Sequence, residues 1–79
     1  MSKESGNLIY TKPGCGGCVL VINWFKENNV EYDTVDVTKN PEAMKKVQDA
    51  GYMSLPLVEK DGDFVLNDFN PDILADLFL

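Results

Sequence analysis

The chain has 79 residues, 44% of them hydrophobic, and its seven basic residues stand against thirteen acidic ones for a formal net charge of -6. That length is expected to fold as a single domain, 1–79, near the lower size at which a hydrophobic core suffices alone. The acidic balance leaves no basic stripe for nucleic acid or an anionic membrane, no run nears the roughly 18 apolar residues of a membrane span, and residues 1–7 are too polar for a signal-peptide core, so a cytoplasmic monomer is expected.

Asn7–Thr11 reads as a short strand closed by Lys12-Pro13-Gly14, a turn. Over residues 16–29 the apolar positions Cys18, Val19, Leu20, Val21, Ile22, Trp24 and Phe25 wrap most of a helix, which is therefore expected to be largely buried. Residues 31–37 form a second strand with Val35 and Val37 on one face. Asn40 caps a second helix over 41–50, with Pro41 in its first position and Gly51 closing it.

Leu57–Lys60 and Asp63–Leu66 are strands joined by Asp61-Gly62, the pair that most favours a two-residue hairpin. Asn70-Pro71 opens a terminal helix with Ile73, Leu74, Leu77 and Phe78 on one side. The order βαβαββα, a parallel half followed by a hairpin half, implies an α/β domain: a four-stranded mixed sheet flanked by three helices, which fits a thioredoxin-like fold.

Two cysteines are too few for the disulfide framework of a small secreted protein, and their C-x-x-C spacing points to redox or metal chemistry. With no His and no third Cys, a four-ligand zinc site within one chain lacks ligands. The cysteines instead fall where a strand and turn hand over to a helix. There, unpaired N–H groups and the positive end of the helix dipole stabilise a thiolate.

Cys15, at that junction, is the expected nucleophile, and Lys12 adds a positive charge near it. Cys18, nearly one turn further on the same face, is the expected resolving thiol. Gly16 and Gly17 clear side chains from around the exposed sulfur and suit close approach of a partner backbone.

The run Tyr10-Thr11-Lys12-Pro13-Gly14-Cys15-Gly16-Gly17-Cys18, then Gly51-Tyr52 ahead of Pro56, and Phe69-Asn70-Pro71-Asp72 near the end resemble the glutaredoxin-like redoxins of the NrdH type, over residues 8–77. The resemblance implies a thioredoxin fold and a dithiol electron donor that takes electrons from thioredoxin reductase and passes them to ribonucleotide reductase or another disulfide protein. It implies no cofactor beyond the Cys15–Cys18 disulfide and no metal. It also implies that Pro56 is cis and faces the cysteines, that the Leu55 backbone is offered to a substrate strand, and that Tyr52 helps form the docking surface.

The chain departs from that family in one loop. Where an aromatic residue is usually followed by Ser-Gly-Phe-Arg-Pro-Asp, it has Leu66-Asn67-Asp68-Phe69-Asn70-Pro71-Asp72, without the Trp, the Gly and the Arg of the family's loop lock. In true glutaredoxins the same loop and the following helix N-terminus hold the γ-glutamyl end of glutathione. Asp68 sets a carboxylate against that anionic ligand, so weak glutathione binding is expected. A glutathione-dependent glutaredoxin is the alternative enzyme. An iron–sulfur or zinc carrier bridging two chains through Cys15 and Cys18 is the alternative of another class.

Overall fold

The structure is a computed structural model that describes residues 6–79; most of the polar opening segment read above as no signal-peptide core lies outside them. Strands β1 (Asn7–Thr11), β2 (Asp33–Asp36), β3 (Leu57–Lys60) and β4 (Asp63–Leu66) and helices α1 (Gly16–Glu27), α2 (Pro41–Asp49) and α3 (Pro71–Phe78) follow one another in the expected order, βαβαββα. The strands form one mixed sheet in the order β2-β1-β3-β4, with β1 parallel to β2 and antiparallel to β3. The strand that delivers the cysteines is therefore interior to the sheet.

Strand alternation sorts the core into two layers. Ile9 and its cross-strand partner Val58 face one side, where Val21, Trp24 and Phe25 of α1 and Leu74 of α3 cover them. Tyr10 and its partner Leu57 face the other side, with Val37 and with Ala43 and Val47 of α2. Val35 joins this second layer beside Val37, as their spacing implied.

Three elements differ in extent from the sequence expectation, each for a local reason. β2 is shorter than 31–37 because its ladder with β1 runs only from Asp33 to Asp36. α1 ends at Glu27 because Asn29 turns left-handed at φ 56, and the amides of Asn29 and Val30 close back on the carbonyls of Lys26 and Phe25. α2 ends the same way one residue earlier than expected: Gly51 stands at φ +90, and the Gly51 and Tyr52 amides bond the carbonyls of Gln48 and Val47 at 3.0 and 3.1 Å. The hairpin turn is of the expected kind, with Asp61 and Gly62 both at positive φ (53 and 92).

α1 is not largely buried. A sheet and one neighbouring helix can cover only a stripe of it, and that stripe is Cys18, Val21, Trp24 and Phe25. Val19 and Leu20 are left 55% and 50% exposed. On α3 the stripe is narrower than expected too: Leu74 is fully buried and Phe78 packs on Phe25, whereas Ile73 is exposed. Among the described residues no helix is long and apolar enough to cross a membrane.

Candidate functional site: a dithiol at the start of α1

β1 ends at Thr11, and the turn that follows, with Gly14 at φ +77, brings Cys15 to the N-cap position of α1. Cys15 is extended (φ -91, ψ 104), and its Sγ accepts the backbone N–H of Cys18 at 3.1 Å. The sulfur thus occupies the place where a cap oxygen usually sits. It faces the positive end of the helix dipole, and no acidic residue lies in the first turn. The two cysteines are joined by a disulfide with their Cα atoms 5.2 Å apart.

Their environments are unequal. Cys15 is partly exposed, whereas Cys18 is 1% exposed, its Sγ 4.0 Å from the carbonyl oxygen of Tyr10. An incoming disulfide can reach the first sulfur and not the second.

The Leu55–Pro56 peptide bond is cis, as the resemblance implied. Because β3 runs antiparallel to β1, the residue before β3 lies beside the residues that follow β1, and Pro56 meets the cysteine turn there. The two intervening glycines differ in what they do. A Cβ on Gly17 would stand 2.9 Å from Pro56 Cδ, inside contact distance of a rigid ring, while a Cβ on Gly16 would meet nothing within 4 Å.

Within the chain, Gly17 is thus the glycine whose missing Cβ makes room for Pro56, while Gly16 faces open space. Gly17→Ala is expected to destabilise the protein by about 1–3 kcal/mol through overpacking. Gly16→Ala should raise stability by about 0.4–1 kcal/mol by restricting the unfolded chain. Denaturant titration of both variants checks the opposite signs.

Two depressions share Lys12, and one of them reaches Cys15. One, of about 610 Å³, runs between α2 and the 51–55 segment, and Met44, Val47, Gln48, Tyr52 and Leu55 contribute to its walls. The other, of about 460 Å³, is formed by the cysteine turn itself with Cys15, Val19 and Ile22. Tyr52 packs its ring against Phe64 in an edge-on arrangement (centroids 5.4 Å apart) and lines the first groove. Met53, next in the chain, is 98% exposed.

Lys12 is exposed and lines the same depression as Cys15, so any charge effect it has on the sulfur is expected to be screened by solvent and salt. Lys12→Glu is expected to slow attack on a neutral small disulfide by about fivefold at low salt, the scale of one contact between charges in water. Lys12→Ala should fall between that variant and the wild type, and added salt should shrink both effects. Stopped-flow rates at two ionic strengths provide the check.

Asp68 stands apart from the other expected site residues. It is exposed, lines neither groove, and accepts the backbone N–H of Phe69 at 2.7 Å. Its neighbour Asn67, not singled out in the sequence, donates through Nδ2 to the carbonyls of Ser54 and Pro56, both at 2.9 Å. A second polar group missed in the sequence lies under the site. The Tyr10 hydroxyl donates to Glu59 Oε1 at 2.7 Å, and Lys46 Nζ donates to the same oxygen at 3.0 Å. Burial first, then the bond to Glu59 and its charge, push the Tyr10 phenol above its ordinary pKa. The bond to Glu59 likewise holds Lys46 up. Only the alternation of β1 hinted that Tyr10 points inward.

A dithiol whose outer sulfur caps a helix and whose inner sulfur is buried beneath it is suited to thiol–disulfide exchange, and the protein is a thiol–disulfide oxidoreductase. The profile of the Glutaredoxin family matches residues 7–65. The chain is 33% identical over 69 residues to the glutaredoxin-like protein NrdH of Lactococcus lactis subsp. lactis, spanning 87% of this chain and 94% of that protein. To the Gene 56 protein of Mycobacterium phage D29 it is 37% identical over 70 residues, 87% of this chain and 78% of that one.

It superposes on the NrdH-redoxin of Escherichia coli with a TM-score of 0.83 at 26% identity, covering 92% of this chain and 95% of that structure. The chain belongs to the glutaredoxin family, among its NrdH-type redoxins, and has their thioredoxin-like fold.

Proposed function

We propose that this redoxin is a dithiol electron donor, reduced by a thioredoxin reductase at the expense of NADPH and oxidised by a protein disulfide, with ribonucleotide reductase as the foremost client. The observation that carries this reading over a glutathione-dependent one is the state of the α3 N-terminus. Pro71 has no N–H, and the amides of Asp72 and Ile73 are both taken by Asn70 Oδ1 at 3.1 and 3.2 Å. The Phe69 amide is taken by Asp68. A γ-glutamyl carboxylate arriving there meets occupied donors and a negative charge. Similarity supports the same reading, since the E. coli NrdH-redoxin has a thioredoxin-like activity profile.

In the proposed cycle the Cys15 thiolate attacks one sulfur of the client disulfide, forming a mixed disulfide and releasing the other client sulfur as a thiolate. Cys18 then loses its proton and attacks Cys15 Sγ. The second client thiol leaves, and the two electrons lost by the dithiol have reduced the client. The carrier reading has less support, because a cluster shared by two chains needs Cys18 Sγ to leave a position that is 1% exposed. The electron source is the test: NADPH with a thioredoxin reductase should reduce the oxidised chain rapidly, and glutathione slowly. The reverse ranking overturns the proposal.

A further inference from the structure

β4 pairs with β3 up to Leu66 opposite Val58, and beyond that point the backbone ladder cannot continue onto Pro56, which has no N–H to give. Asn67 carries the connection on with its side chain. Its amide has two hydrogens, and they go to the carbonyls on either side of Leu55, those of Ser54 and Pro56. Two acceptors in these places also settle which end of the amide faces the loop. Among the described residues neither the N–H nor the carbonyl of Leu55 has a hydrogen-bond partner. The side chain thus pins the flanking carbonyls and leaves one residue's peptide groups open, one position before the proline that touches the cysteine turn.

We infer that Asn67 is a positioning residue for protein substrates: it holds the Leu55 peptide groups in the orientation that pairs with an extended client segment, without itself touching the reacting sulfurs. Strand pairing of this kind draws its affinity from main-chain hydrogen bonds, which are lost when the receiving backbone turns. A small disulfide has no strand to pair and needs only Cys15. The inference rests on the reading that the client is a protein disulfide.

The test compares wild type, Asn67→Ala and Asn67→Ser, with dithiothreitol as the electron source so that no reductase is involved. Each is assayed on insulin, a protein disulfide, and on a neutral small disulfide. Asn67→Ala is expected to raise KM for insulin by about tenfold with kcat little changed, the signature of lost binding common to ground and transition states. Its rate with the small disulfide should match wild type. Asn67→Ser retains one donor and should give an intermediate KM, which keeps the question open to measurement if the alanine variant folds poorly. Equal losses on both substrates, or an unchanged KM for insulin, overturn the inference. A wild-type protein that reduces the small disulfide and not insulin instead overturns the protein-disulfide reading.

Discussion

Cys15→Ser protein is expected to lose turnover by on the order of a thousandfold or more, while Cys18→Ser protein completes the first exchange and stops there. The difference follows from the geometry of the two sulfurs. Cys15 Sγ is reachable and receives the Cys18 amide at 3.1 Å, a bond worth more to a thiolate than to a thiol. Cys18 Sγ is reached from Cys15 alone, because its residue is 1% exposed. Without Cys18, the mixed disulfide on Cys15 has no internal thiol to resolve it and should accumulate, visible as a single adduct by mass spectrometry. In the reduced wild-type protein, iodoacetamide should modify Cys15 well before Cys18. Preferential labelling of Cys18 would reverse the assignment.

The electron source carries the second large effect. At matched concentrations, reduction by a thioredoxin reductase with NADPH is expected to outpace glutathione-linked reduction by about a hundredfold, the cost of losing two hydrogen bonds to a charged group at roughly 1.5 kcal/mol each. The lost bonds are identifiable: they are those that the Asp72 and Ile73 amides give to Asn70 and so cannot give to glutathione. Asp68→Gly removes a carboxylate and frees the Phe69 amide, so it should raise glutathione-linked activity several-fold and leave the reductase-linked rate alone. Coupled NADPH oxidation with each reductase reads both arms. Fast turnover with glutathione in the wild-type protein would move it to the glutathione-dependent class.

Much of this molecule was legible before its structure, and the legible parts share a cause. Asp61-Gly62, Asn40-Pro41 and Asn70-Pro71 announce a turn and two helix starts through short-range backbone chemistry, and strands β3 and β4 fall within the bounds read from sequence. The dithiol is legible for the same reason: C-x-x-C between a strand and a helix states its geometry within four residues.

The features that were not legible depend on partners distant in the chain. The burial of α1 was overestimated because hydrophobicity alone does not say how many neighbours a helix will have, and Val19 and Leu20 have none to cover them. Asn67 looked like one polar loop residue among several; its role depends on carbonyls 13 and 11 residues away. Gly16 and Gly17 are alike in sequence, and only the position of Pro56 distinguishes them.

Tyr10 belongs to both sides of the sheet at once. Its ring is locked in the α2 layer by Phe64 at 5.4 Å, by Glu59 and, through Glu59, by Lys46, while its carbonyl lies against Cys18 Sγ. The inner sulfur therefore rests on a floor anchored from the opposite layer, and the outer one sits on a turn at the surface. When the disulfide opens, the larger displacement is expected at Cys15, since Cys18 is 1% exposed and lies against the Tyr10 carbonyl.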